Sequence, residues 1–322
     1  MCAESSGKSV FLIAPSTRLV PQDLPLLKNA IHLLRNAMGA GRISLSSYLF
    51  TRDESIEHVT ASIAERSREL KAAIREHDII ISLAGGTGAE DLLLTLDRSD
   101  YRTIRKRRLL FIGFSDFSFL LNEVYSRCRV PGILFPSLRL NEGNVGDLLA
   151  LIDGGTASYR AASWLADPPP QPLTGIPVGG NLTTFVNFLN RLNPPRLGWR
   201  DHVLFVEDLG IDLEDLHRLL AALRRHRVFR NVKALVIGAL AVPPGAGGAG
   251  SEGRERGFQE RALDFLMAYL DGVLARRRER GLPLPIVFMP RFGHGITRGL
   301  PAVPVGGRAT LSPGLDVAFR LR

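Results

Sequence analysis

The sequence has almost no cysteine. Two residues in 322, Cys2 and Cys128, build no disulfide framework, and no metal-ligand spacing occurs. Long apolar runs are missing as well. No stretch approaches the roughly 18 apolar residues of a membrane span. The apolar stretch 10–14 is too short for a signal-peptide core and is closed by Pro15, so a cytoplasmic location is expected. Acids are also in short supply, with 32 Asp and Glu against 41 Lys and Arg and a formal charge of +9. The excess is mainly arginine, clustered at 105–108, 224–227 and 276–280, on or beside expected helices where charge runs are usually solvated. There is no RNA-recognition signature and no basic stripe interleaved with aromatics, so nucleic acid is not an expected partner. A positive field instead favours anionic substrates.

What is present describes a globular chain with a substantial core. Hydrophobic residues make up 45% and charged residues 23%, and the length suits two domains. The first half alternates short apolar runs with helical spacing. Strands are expected at 9–14, 43–49, 78–83 and 108–113, with a short one at 133–138. Helices are expected at 24–38, 55–76, 91–96, 117–128 and 145–152. Near-continuous isoleucine at 78–83 suits a parallel strand covered on both faces, so this half reads as an α/β domain of βαβ units. Residues 153–172, with Pro168-Pro169-Pro170, read as a linker. Beyond it strands are expected at 176–179, 203–206, 234–240, 285–289, 309–311 and 317–321, with helices at 182–192, 213–225 and 258–277. Gly-rich 243–253 reads as a mobile loop. The expected organisation is an N-terminal parallel-sheet α/β domain (1–152), a linker (153–172) and a smaller β-rich domain (173–322).

Chemistry concentrates at strand ends. The run 108–113 ends in Gly113-Phe114-Ser115-Asp116 and passes directly into a helix. A serine on such a turn presents its hydroxyl beside unpaired helix N–H groups, which is what a nucleophile needs; helix capping is the alternative. Ala84-Gly85-Gly86-Thr87-Gly88 follows the isoleucine strand. It lacks the Gly-x-Gly-x-x-Gly pattern and a Walker lysine, so a phosphate cradle, a plain βα turn and an oxyanion hole beside Ser115 all stay open. A serine needs a base. Of seven histidines, His294 stands apart, between Gly293 and Gly295 just after an apolar strand. A carboxylate must orient that imidazole. Glu207, at the end of strand 203–206, is placed for it, with Asp208 and Asp212 as rivals. The order Ser, Glu, His is that of α/β-hydrolases, but Phe117 stands where Gly-x-Ser-x-Gly needs glycine, so that fold is not expected.

These pieces together resemble the LD-carboxypeptidase family of serine peptidases (peptidase family S66), which includes the microcin C immunity hydrolases. The matching residues are Ala14-Pro15-Ser16, Gly85-Gly86, Gly113-Phe114-Ser115-Asp116, Gly179-Gly180-Asn181-Leu182, Phe205-Val206-Glu207-Asp208, and Gly293-His294 followed by 300–311. The resemblance implies a triad of Ser115, Glu207 and His294, with the backbone N–H groups of Gly86 and Asp116 as oxyanion donors. It also implies a homodimer, no metal or organic cofactor, and hydrolysis of the L,D amide bond before the terminal D-alanine of a muropeptide. Family peptidases commonly carry Arg-Gly-Gly-Tyr-Gly where this chain has Ala84-Gly85-Gly86-Thr87-Gly88, and Gly-Pro where it has Phe135-Pro136. Immunity-type members also lack that Arg and Tyr, so a peptidyl or aminoacyl nucleotide is the alternative substrate. A non-catalytic binder of anionic ligands, built on 85–88 and the arginine surplus, is the alternative of another class.

Overall fold

The structure, a computed structural model, describes residues 7–39, 41–53, 59–191, 197–241, 251–294 and 300–322. In chain order the strands are β1 (Ser9–Ile13), β2 (Arg42–Leu45), β3 (Ile79–Ser82), β4 (Leu110–Gly113), β5 (Gly132–Leu134), β6 (Ala157–Arg160), β7 (Ser163–Ala166), β8 (Leu173–Asn181), β9 (His202–Leu209), β10 (Ala234–Ala241), β11 (Ile286–Phe288), β12 (Val303–Val305), β13 (Arg308–Leu311) and β14 (Asp316–Arg320). The helices are α1 (Leu24–Met38), α2 (Ile63–Glu76), α3 (Ala89–Leu93), α4 (Arg98–Arg107), α5 (Ser118–Cys128), α6 (Glu142–Ile152), α7 (Leu182–Asn190), α8 (Leu213–Arg225), α9 (Val228–Asn231) and α10 (Ser251–Glu279).

The chain divides into two compact units. The first holds Met1–Ala157, Ala302–Gly307 and Arg320–Arg322; the second holds Ser158–Pro301 and Arg308–Phe319. In the N-terminal unit the sheet order is β12-β5-β4-β3-β1-β2. Strands β2, β1, β3, β4 and β5 run parallel, and β12 closes the edge antiparallel to β5. Ile79, Ile80 and Ile81 are each no more than 1% exposed. At roughly 1.5–3 kcal/mol for each fully buried aliphatic side chain, this strand anchors the sheet. Helix α2 starts where Ser62 accepts the Glu65 N–H and Glu65 reaches back to the Ser62 N–H, a reciprocal cap.

The sheet order in the C-terminal unit is β6-β14-β13-β8-β9-β10-β11-β7. Its centre is parallel, β8 through β11, with β13 and β7 antiparallel to it on either side. The strand-rich second domain is therefore itself laid down by strand–helix alternation, with α7, α8 and α10 between its parallel strands. Residues 153–172 do not run as a plain linker. They carry β6 and β7, which are outer strands of the second sheet. Both are four residues long with three of the four positions partly exposed or exposed, which leaves little hydrophobic pattern to read. Of the Gly-rich stretch, 243–250 lies outside the described residues, and 251–253 open α10. Among the described residues no helix is long and apolar enough to cross a membrane.

Candidate active site

Strand β4 delivers Ser115 on a sharp turn. Phe114 is extended, Ser115 has φ +59°, and a 3-10 turn Ser115–Phe117 leads into α5. A left-handed backbone costs an L-residue roughly 1–2 kcal/mol, and a non-glycine holding it in such a turn is the strained geometry of a nucleophile elbow. The glycine that makes room lies before the serine rather than after it. A Cβ on Gly113 would fall 2.2 Å from Cδ1 of Phe117, so the Phe117 ring occupies that space. The neighbouring strand β3 ends in the glycine loop, and a Cβ on Gly85 would fall 2.5 Å from Ser115 Cβ and 2.9 Å from its Oγ. Gly86, at φ +117°, lies equally close to Thr17, with 1.9 Å between a built Cβ and Thr17 Oγ1. The loop 85–88 thus packs directly on the serine turn and on the turn after β1.

A carboxylate and a guanidinium knit these turns together, and sequence reasoning missed both. One oxygen of Asp116 accepts from Ser16 Oγ–H and, at 3.1 Å, from the Ala89 N–H that opens α3. Burial pushes this carboxyl up to about 6, against the downward pull of the same hydrogen bonds. Arg66 on α2 is 3% exposed, and its Nη1 donates to the carbonyls of Pro15 and Gly88. Thr17 N–H donates to the Gly85 carbonyl at 3.1 Å. The signal for Arg66 was present: it lies three residues after Ile63 and four before Leu70, a charge on an apolar helical stripe.

In the C-terminal unit Glu207 lies on β9 between β8 and β10, with no exposed surface. The pairing of β9 with β10 shifts between Ile237 and Leu240, so Gly238 and Ala239 both face the level of Glu207. That irregularity opens the ladder beside the carboxylate. A Cβ on Gly238 would lie 2.1 Å from the Phe292 carbonyl, and one on Gly293 would lie 3.1 Å from Glu207 Cβ. Two glycines therefore let the chain after β11 close down on Glu207. Phe292 is fully buried edge-on against Phe205 and pins that turn.

The result is a direct pair. His294 Nδ1 lies 2.7 Å from Glu207 Oε2, and the His294 main-chain N–H donates to the same oxygen at 2.9 Å. A carboxylate only accepts, so Nδ1 carries the hydrogen and Nε2 of the neutral ring is the proton acceptor. The rival acids have other work. Asp208 accepts from Asn181 Nδ2, from the Thr183 N–H and hydroxyl, and from the Leu209 N–H. Asp212 caps α8 by accepting the Asp215 N–H. The other histidines are not uniformly solvated: His77 and His202 are buried, and His202 Nδ1 meets the Gly198 carbonyl at 2.7 Å. His217 sits against the rings of Phe265 and Tyr269. His58 and Gly295 lie outside the described residues. Ser115, Gly86 and Asp116 therefore gather in the N-terminal unit, and Glu207 with His294 in the C-terminal one. Among the described residues no group of three or more His, Cys, Asp or Glu is arranged to hold a metal ion.

Comparison with known proteins gives matches along both units. The family model for the LD-carboxypeptidase N-terminal domain matches residues 10–134, and that for the LD-carboxypeptidase C-terminal domain matches residues 174–311. A putative carboxypeptidase of Treponema pallidum (strain Nichols) is 24% identical over 267 residues, covering 72% of this chain and 75% of its own length. Among solved structures, an MccF-like protein from Bacillus anthracis str. Ames superposes with a TM-score of 0.73 at 20% identity, covering 99% of this chain and 98% of its own. A muramoyltetrapeptide carboxypeptidase from Oxalobacter formigenes superposes with a TM-score of 0.69 at 23% identity, covering 97% and 98%. At those identities the two structures speak for the fold.

Proposed function

The chain belongs to the LD-carboxypeptidase family, a family of carboxypeptidase-type hydrolases, and from that premise we propose that it is a serine carboxypeptidase acting on the L,D amide bond before the terminal D-alanine of muropeptides. The observation that carries the reading is the pairing of buried Glu207 with His294, 2.7 Å apart, whose tautomer leaves Nε2 as a base. Ser115 Oγ attacks the scissile carbonyl while His294 Nε2 takes its proton. The tetrahedral oxyanion receives hydrogen bonds from the N–H groups of Gly86 and Asp116. His294 then gives the proton to the leaving amine, and water repeats the sequence to release the acyl group from Ser115. Glu207 holds the ring and stabilises imidazolium.

A second reading has its own support. Ala84 and Thr87 stand where family peptidases commonly carry Arg and Tyr, and a MccF-like protein is among the structural neighbours. An immunity-type hydrolase of a peptidyl or aminoacyl nucleotide would use the same triad. The binding-protein reading has less behind it, because the glycines at 85, 86 and 88 are packed against Ser115, Thr17 and Arg66. The deciding experiment offers murein tetrapeptide and, separately, an aminoacyl nucleotide to the native chain and to Ser115→Ala. Release of D-alanine, lost in Ser115→Ala, supports the carboxypeptidase. Cleavage of the aminoacyl nucleotide alone supports the second reading, and no serine-dependent cleavage of either overturns both.

A further inference from the structure

Two of the arginine clusters in the sequence come together in the C-terminal unit. A groove of about 440 Å³ is lined by Arg200, Arg224, Arg227, Arg230, Arg276 and Arg280. Arg224 sits in the last turn of α8 and Arg276 in the last turn of α10, while Arg227, with φ +59°, starts α9. A second cavity of about 460 Å³ shares Arg200 and Arg230 and adds Lys233. No acidic residue lines either cavity. Among the described residues none of these six arginines forms an ion pair, whereas Arg218 pairs with Glu214 and Asp215, and Arg278 with Asp167. The floor is built. Arg277 spends its guanidinium on the carbonyls of Phe229, Val232, Leu282 and Pro283, fixing the ends of α9 and α10 to one another.

Helix dipoles do not account for this charge. The C-termini of α8 and α10 carry about half a negative charge each. Six cations against roughly one compensating charge is a surplus that the fold alone does not use. Like charges so placed repel, and an anion with several charged oxygens would relieve that repulsion while meeting planar guanidinium forks. We propose that this groove is a binding site for a small polyphosphate anion. The concave volume suits a small molecule. Extended single-stranded nucleic acid would need aromatic faces for its bases, and the one aromatic residue in the lining, Phe229, is only 3% exposed. Apolar Leu282, 60% exposed, and Val273 offer a wall to any organic part of the ligand. The site stands apart from the hydrolase reading and does not depend on it.

The test is calorimetric titration of the full chain with inorganic tripolyphosphate at low and at physiological salt. One tripolyphosphate per chain should bind, more weakly as salt rises. The double variant Arg224→Gln/Arg276→Gln should weaken binding at least tenfold, and the single variant Arg230→Gln should weaken it several-fold. Arg218→Gln, whose charge is already paired, should change it less than twofold. A nucleoside triphosphate binding more tightly than tripolyphosphate would place a nucleoside against Leu282; equal affinity would assign recognition to the phosphates alone. The proposal falls if tripolyphosphate gives no heat at millimolar concentration, or if both arginine variants bind as the native chain does. Retention of duplex DNA that tripolyphosphate cannot displace would overturn it in favour of a nucleic-acid surface.

Discussion

Glu207 Oε2 receives two hydrogen bonds from His294, one from ring Nδ1 at 2.7 Å and one from the main-chain N–H at 2.9 Å. The oxygen thereby sets both the ring's tautomer and the position of its backbone. Its other oxygen, Oε1, is buried with no hydrogen-bond partner among the described residues. In Glu207→Gln, one orientation puts an amide N–H against Nδ1 and forces the wrong tautomer. The other orientation keeps the oxygen but loses the charge that stabilises imidazolium. Either way kcat should fall by about 10³- to 10⁴-fold, the scale set by triads that lose the charge of their carboxylate. Steady-state kinetics on well-folded variant checks this, and a loss of less than tenfold would remove Glu207 from the mechanism.

Asp208 separates a structural acid from a catalytic one. Its carboxylate holds Asn181, Thr183 and the Leu209 N–H, and so locks the start of α7 to the end of β9. Asp208→Ala leaves those donors, the buried Asn181 amide among them, without this acceptor and should cost about 1–3 kcal/mol in urea unfolding. Turnover per folded molecule should stay within about tenfold, since no reacting atom is assigned to this residue. Asp212→Asn keeps a good cap and should be nearly silent in both measurements. An Asp208→Ala protein of native stability but no turnover would transfer the carboxylate role from Glu207 to Asp208.

The parts of this fold that could be read from sequence are those in which neighbouring residues carry the information. The isoleucines of β3, the turn after β4 and the apolar run of β9 each announce themselves within a few residues. Strand β12 does not, because its place beside β5 depends on a chain that returns after some 170 residues. Edge strands β6 and β7 are too short and too open to show a pattern. At the site, the Ser115 turn and the order of Glu207 and His294 were legible as strand-end chemistry. The role of the Asp116 side chain was not, since its partners Ser16 and Ala89 lie 100 and 27 positions away.

Strain at Ser115 can be measured directly. Its φ of +59° is free of steric penalty only for glycine. Ser115→Gly relieves roughly 1–2 kcal/mol of strain while adding roughly 0.5–1 kcal/mol of chain entropy to the unfolded state. Ser115→Ala removes the hydroxyl but keeps the strained Cβ. Both should lose turnover, and the glycine variant should be the more stable of the two by up to about 1.5 kcal/mol. An alanine variant more stable than the glycine variant by about 0.5–1 kcal/mol in urea unfolding, which is the chain-entropy difference acting alone, would show that the turn stores no strain.

The last prediction concerns pH and Asp116. Burial, opposed by hydrogen bonds from Ser16 and Ala89, raises its carboxyl from 3.8 to about 6. Between about pH 4 and 6 the folded protein therefore holds a proton that the unfolded chain has released. Stability must then fall as pH rises through that window, since the folded state binds more protons. Below about 4 both states are protonated, above about 6 both are ionised, and this group contributes no slope in either range. Asp116→Asn keeps an oxygen for Ser16 and Ala89 but cannot ionise. Its amide nitrogen would take the place of Oδ1, which is buried without a hydrogen-bond partner among the described residues. That adds a penalty which does not change with pH, so the slope is the informative quantity and the absolute stability is not. Relative to the native chain, the variant should gain stability steadily from pH 4 to 6 and then stay level. Two unfolding curves that run parallel across the window would mean that the Asp116 carboxylate is solvated as an ordinary surface acid, and that the tie between the turns after β1 and β4 carries no buried charge.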